Sequence, residues 1–121
     1  MAIQNILVVD DSPTERQYLT DMLLKNGYKV TTADSAEDAL AKARQLNPDL
    51  VLMDVVMPGQ NGFQATRALT RDDATKHIPV IICTSKGQET DKVWGLRQGA
   101  KDYIVKPIIQ ADLLAKISAL G

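Results

Sequence analysis

What constrains this chain most is a rhythm: short, apolar, β-branched runs recur between longer stretches with helical spacing. The runs are Ile6-Leu7-Val8-Val9, Val30-Thr31-Thr32, Leu50-Val51-Leu52-Met53, Val80-Ile81-Ile82-Cys83 and Tyr103-Ile104-Val105. A strand wetted on one face alternates apolar with polar residues, and these do not. They read as strands covered on both faces, as in a parallel sheet. Between them, Leu19, Met22, Leu23 and Asn26 fall at i, i+3, i+4 and i+7, as do Ala36, Ala39, Leu40 and Ala43. Leu113, Leu114, Ile117 and Leu120 make the last such helical face.

The boundaries are marked by residues with a mechanical reason to be there. Ser12-Pro13-Thr14-Glu15 reads as a capping box with proline at the first helical position. Asn26-Gly27 fits a left-handed C-terminal cap, and Ser35 can cap a second helix that must end by Asn47-Pro48. Gly99 is placed to stop the fourth helix. Five strands alternating with five helices imply right-handed crossovers and an α/β, doubly wound, five-stranded parallel sheet flanked by five helices. A length of 121 residues suits one domain over 1–121, and 4% aromatic residues leave an aliphatic core.

Composition narrows the function. With 14 Lys+Arg against 15 Asp+Glu and no basic stripe, phosphate-backbone binding lacks its electrostatic footprint. No apolar run approaches the roughly 20 residues that cross a bilayer, and the start Met1-Ala2-Ile3-Gln4-Asn5 lacks the basic start and apolar stretch of a signal peptide. Cys83, the single cysteine, has no internal disulfide partner, which fits a reducing compartment. The expectation is a cytoplasmic domain without nucleic-acid binding or membrane insertion.

In a doubly wound sheet, ligands bind beyond the carboxyl ends of the strands. Those positions here hold Asp10-Asp11, Asp54, Thr84-Ser85 and Lys106-Pro107. Three converging carboxylates need a compensating cation, and oxygen ligands with no well-placed His77 or Cys83 favour Mg²⁺ over zinc. A metal, an ammonium and a hydroxyl around a carboxylate make a competent phosphoryl-transfer site with the carboxylate as nucleophile. Asp54, alone at a central strand end, is the expected nucleophile, and Asp10 and Asp11 are the metal-holding pair.

These residues carry a resemblance. The chain resembles the response-regulator receiver domains of two-component signalling, the CheY-like family with its flavodoxin-like fold, over essentially its whole length. The matching pieces are Val9-Asp10-Asp11-Ser12, Asp54-Val55-Val56-Met57-Pro58-Gly59-Gln60-Asn61-Gly62, Thr84-Ser85-Lys86, Gly99-Ala100-Lys101-Asp102-Tyr103 and Lys106-Pro107. The resemblance implies that Asp54 accepts the phosphoryl group. Asp11 would bind Mg²⁺ directly, Asp10 through water, and Asp54 and the Val56 backbone carbonyl would be further ligands. Thr84 is then the switch hydroxyl, Lys106 the phosphoryl-oxygen contact, Lys106-Pro107 a cis peptide, and Tyr103 the switch aromatic. A histidine kinase (CheA-like) would be the donor. A protein partner would read the surface of the fourth helix, fifth strand and fifth helix, where Trp94 and Tyr103 lie, with the chain a monomer or weak dimer. Within the family the chain resembles stand-alone PilH-type regulators of type IV pilus twitching motility, through Asp11-Ser12-Pro13-Thr14-Glu15, Gly62-Phe63-Gln64-Ala65-Thr66-Arg67 and Thr90-Asp91-Lys92-Val93-Trp94-Gly95.

Bland readings stand beside these. Tyr103 also suits simple packing, Trp94 a semi-buried filler, Cys83 a small apolar core residue, His77 a surface loop, and Arg71–Lys76 a solvated loop. Where the family commonly has alanine after the switch threonine, this chain has Ser85, and it has Asn61 where aspartate is frequent. Val56 and Lys86 border the path of attacking water and bear on dephosphorylation. A haloacid-dehalogenase-like phosphatase would need Asp-x-Asp after the first strand, and Asp10 is followed two residues later by Ser12. A flavodoxin-type nucleotide binder would need a phosphate-cradling loop where Asp10-Asp11 repel anions. The chain is therefore read as a phosphoacceptor rather than an enzyme, limited to self-phosphoryl transfer and autodephosphorylation. A phosphate sink or a phosphorylation-independent interaction module are the alternatives.

Overall fold

A computed structural model describes residues 3–55, 62–85 and 89–120, the side chains of 85 and 89–92 excepted. Its elements are β1 (Asn5–Val9), α1 (Pro13–Lys25), β2 (Lys29–Ala33), α2 (Ala36–Leu46), β3 (Leu50–Asp54), α3 (Gly62–Arg71), β4 (Val80–Ser85), α4 (Glu89–Arg97), β5 (Asp102–Lys106) and α5 (Gln110–Leu120). All strand pairs are parallel, in the order β2-β1-β3-β4-β5. Each expected strand is present, longer by one or two residues because main-chain pairing runs past the apolar run.

The unalternated runs are explained by two apolar layers. Leu7, Val9, Val51, Met53, Val80 and Ile82 face α2 and α3, where Ala36, Ala39, Ala43 and Ala65 let the helices approach closely. Ile6, Val8, Leu50, Leu52, Ile81, Cys83 and Ile104 face the other way, onto Leu19, Met22 and Leu23 of α1 and Leu113 and Ile117 of α5. Because side chains alternate along a strand, this parity continues past the last core residue. Asp10, Asp54 and Lys106 fall on the α1/α5 side, and Thr84 falls on the other side with Tyr103, which lies two residues before Val105, the β5 residue paired with Thr84.

The helix ends behave as their residues require. After α1, Tyr28 N–H donates to Leu23 C=O and Gly27 N–H to Leu24 C=O, with Gly27 at φ +89°. That is a Schellman motif, which needs a residue tolerant of positive φ. The end of α4 repeats it through Ala100, Gly99 and Gly95, with Gly99 at φ +103°. Asn47 supplies the left-handed residue after α2. The stretch after α3 is more ordered than a solvated loop. Thr75 is buried with its hydroxyl donating to Leu69 C=O at 2.7 Å, and Asp72 accepts from Ala74 N–H and Arg44. Its Asx turn plugs the end of α3. His77 is exposed, its Nε2 2.8 Å from Asn47 Oδ1.

Candidate functional site

The site forms where the order of strands turns, at the carboxyl ends of β1 and β3, with β5 reaching in from the side. Asp10 follows β1 and Asp54 ends β3, both buried. Lys106 ends β5, and its ammonium lies 3.0 Å from Asp54 Oδ1, 3.3 Å from Asp10 Oδ2 and 2.6 Å from Glu15 Oε2. The Lys106–Pro107 peptide is cis. Asp11 is exposed beside them, and carboxylate oxygens of Asp10, Asp11 and Asp54 all lie within 4.8 Å of one another. The positions expected after β1, β3 and β5 are therefore brought together. The Val56 carbonyl, Asn61 and Lys86 lie outside the described residues.

The electrostatics follow from burial. Burial raises the Asp10 carboxyl to about 6, with the nearby Asp54 charge adding to it, while the Ser12 N–H and Lys106 oppose the rise. Burial also works against the Lys106 ammonium, but its bonds to Glu15 and Asp54 outweigh that, and its pKa is raised. The hydrogen bond from Lys106 holds Glu15 below the usual carboxylate range. Cys83, beneath the site, has its thiol pushed up to about 12 by burial and stays an apolar filler.

Thr84 is fully buried at the end of β4, and its hydroxyl has no hydrogen-bond partner among the described residues. A buried hydroxyl without a partner is destabilising by about 1–3 kcal/mol. Tyr103 is partly buried against the α2/α3-side core, with the Lys116 ammonium 5.2 Å from its ring centroid. Trp94 is 49% exposed on α4, so it is not a core filler.

Two residues were missed by sequence reasoning. Glu15 is not the second arm of a capping box. Ser12 does cap α1, accepting from Glu15 N–H at 3.3 Å, but the Ser12 N–H donates to Asp10 Oδ1 at 2.9 Å, which frees the Glu15 carboxylate for Lys106. The signal was available: Glu15 lies one turn before Leu19 on the buried stripe of α1, so it overhangs the sheet edge. Arg16 is the other, donating from Nη1 to Asp10 C=O at 2.7 Å and pinning the acidic turn.

The three carboxylates fit a hard divalent ion, whose octahedral oxygen ligands lie about 3–4 Å apart. Asp10 and Asp54 are buried and Asp11 is exposed. Gly62 sets the β3 end: a Cβ there would lie 2.0 Å from Asp54 C=O, so only glycine lets α3 start this close to the acidic strand end.

Comparison with known proteins defines the class. Residues 6–118 match the response regulator receiver domain, and the chain belongs to that family, whose members bind Mg²⁺ at an acidic pocket and act with a histidine kinase and a downstream partner. It is 61% identical over 115 residues to Protein PilH of Pseudomonas aeruginosa, covering 95% of each chain. It is 38% identical over 120 residues to the phosphate regulon transcriptional regulatory protein PhoB of the same organism, of which it spans 52%. The chemotaxis protein CheY4 of Vibrio cholerae superposes with a TM-score of 0.91 at 32% identity, over 99% of this chain and 100% of that one. The fold is thus flavodoxin-like and CheY-like, and the chain is a phosphorelay receiver, a signalling protein rather than a classical enzyme.

Proposed function

We propose that Asp54 accepts a phosphoryl group from the phosphohistidine of a histidine kinase and thereby switches the α4-β5-α5 surface. The observation that carries this is the Asp54 carboxylate at the end of β3, within reach of the Lys106 ammonium and clustered with Asp10 and Asp11. The Asp54 oxygen forms the new bond to phosphorus as the phosphorus–nitrogen bond of the donor histidine breaks. Asp10, Asp11, Asp54 and the Val56 carbonyl would hold Mg²⁺, which when bound neutralises charge on the transferring phosphoryl oxygens. Lys106 neutralises a further oxygen, because its ammonium already rests beside Asp54. Water then hydrolyses the acyl phosphate to restore the carboxylate.

The orphaned Thr84 hydroxyl supports the switch: a phosphoryl oxygen on Asp54 gives it the partner it lacks. Its movement frees space on the side of the sheet it shares with Tyr103, and the ring follows. Phosphorylation biases a conformation already accessible to the protein. Trp94 and Tyr103 are the proposed partner contacts. The likeness to PilH supports a CheA-like kinase and a role in type IV pilus twitching motility, with 1–121 working as one cytoplasmic receiver domain, monomeric or weakly dimeric. No described helix is long and apolar enough to cross a membrane.

Intact-protein mass spectrometry after incubation with a small acyl-phosphate donor tests the reading. The native chain is expected to gain one phosphoryl group only with Mg²⁺, and Asp54→Asn none. Equal gain in Asp54→Asn would sink the assignment.

A further inference from the structure

Lys106 offers three N–H donors, and three carboxylates surround it. Its shortest bond, 2.6 Å, is to Glu15, outside the acidic pocket; those to Asp54 and Asp10 are 3.0 and 3.3 Å. We propose that Glu15 is a positioning residue that tethers the Lys106 ammonium at the pocket's rim, leaving Asp10 and Asp54 less neutralised and the pocket more receptive to a divalent cation.

The tether is well placed for this. Glu15 sits at the third position of α1, in a helix fixed by the Ser12 cap and by Leu19, Met22 and Leu23 in the core. Its reach is set by a rigid element, whereas Lys106 is a long side chain that goes where its partners draw it. Held only by Asp10 and Asp54, the same ammonium would occupy the space between the two carboxylates and compete with a metal ion for their oxygens. The Lys106 side chain is 21% exposed, so these charges are partly shielded from water and salt. Glu15 itself is 45% exposed. Besides Lys106 it interacts directly with the Asp10 carboxyl, and a Lys106→Met background separates that direct route from the tether.

This inference rests on the acidic pocket binding Mg²⁺, and the experiment separates the two. Calorimetric titration with Mg²⁺ would compare the native chain, Glu15→Gln, Glu15→Asp, Lys106→Met and the Glu15→Gln/Lys106→Met double variant. Glu15→Gln is expected to weaken Mg²⁺ binding about three- to tenfold, the size of a partly buried ion pair. Glu15→Asp, one methylene too short to hold Lys106, should weaken it similarly although the charge is kept. With Lys106→Met already present, Glu15→Gln should change the affinity by less than about twofold, the coupling expected of two residues acting through one contact. Native affinity in Glu15→Gln, full affinity in Glu15→Asp, or an undiminished effect in the Lys106→Met background would each overturn the tether while leaving the metal site intact. Absence of Mg²⁺ binding by the native chain would overturn both.

Discussion

At the scale of single residues, the site is held under electrostatic tension. Asp10 is buried beside Asp54, and its carboxyl is raised to about 6 from the ordinary value of 3.8. Because the folded value lies above the unfolded one, the stability tied to its neutral form is present below pH about 4 and lost as the pH climbs through about 6. In the metal-free protein, Asp10→Asn should therefore raise stability at pH 7 by about 1 kcal/mol or more. The gain should shrink as the pH is lowered from 6 to 4, and thermal melts of the two proteins across that range would show it. A variant less stable than the native chain at pH 7 would contradict the account. Thr84 gives a second case. Valine keeps its shape and removes the unpartnered hydroxyl, so Thr84→Val should raise the melting temperature of the unphosphorylated protein, corresponding to about 1 kcal/mol. Phosphorylation of that variant should no longer change the environment of Tyr103, as read by its ring NMR signals.

At the scale of elements, the helices are placed by what their glycines allow. Gly62→Ala would set a Cβ against main chain at Asp54 and Val55, which has no freedom to yield. A loss of about 2 kcal/mol or more is expected, together with slower phosphoryl acceptance, because the β3 end must shift. Gly95→Ala meets the buried Ile82 side chain, at its Cδ1 and Cγ atoms, rather than main chain. Its loss should be smaller, partly offset by alanine's preference for helix of about 1 kcal/mol. Chemical denaturation of the two variants would rank them, and the reverse order would refute this reading of α3 and α4. The elements themselves were legible in the sequence, since unalternated runs and helical periodicity reflect the two-sided burial that the sheet shows. The carboxyl-end placement of Asp10, Asp54, Thr84 and Lys106 followed from topology alone. The destination of Glu15 did not, because the rule for capping boxes concerns local bonds, and here Asp10 takes the N–H that the box would use while a lysine 91 positions away in sequence takes the carboxylate. The order in Arg71–Lys76 was hidden in part for a similar reason: the Arg44 partner of Asp72 arrives only once α2 and α3 lie side by side, whereas Thr75 bonds locally, to Leu69 C=O.

At the scale of the whole molecule, the two faces of the sheet divide the labour. The carboxylate and ammonium groups share parity with α1 and α5, while Thr84 and Tyr103 fall on the side facing α2 and α3. In the proposed function, a phosphoryl group at the carboxyl edge would lie between the two faces and convert a local charge into a surface change. The central claim is that this charge arrives on Asp54. The most direct test is borohydride reduction of the phosphorylated chain followed by peptide mapping, since hydride converts an aspartyl phosphate to homoserine with release of phosphate. Homoserine at position 54 alone, formed only after treatment with donor and Mg²⁺, is the predicted result; homoserine at Asp10 or Asp11, or a phosphoryl group that survives on His77, would contradict it.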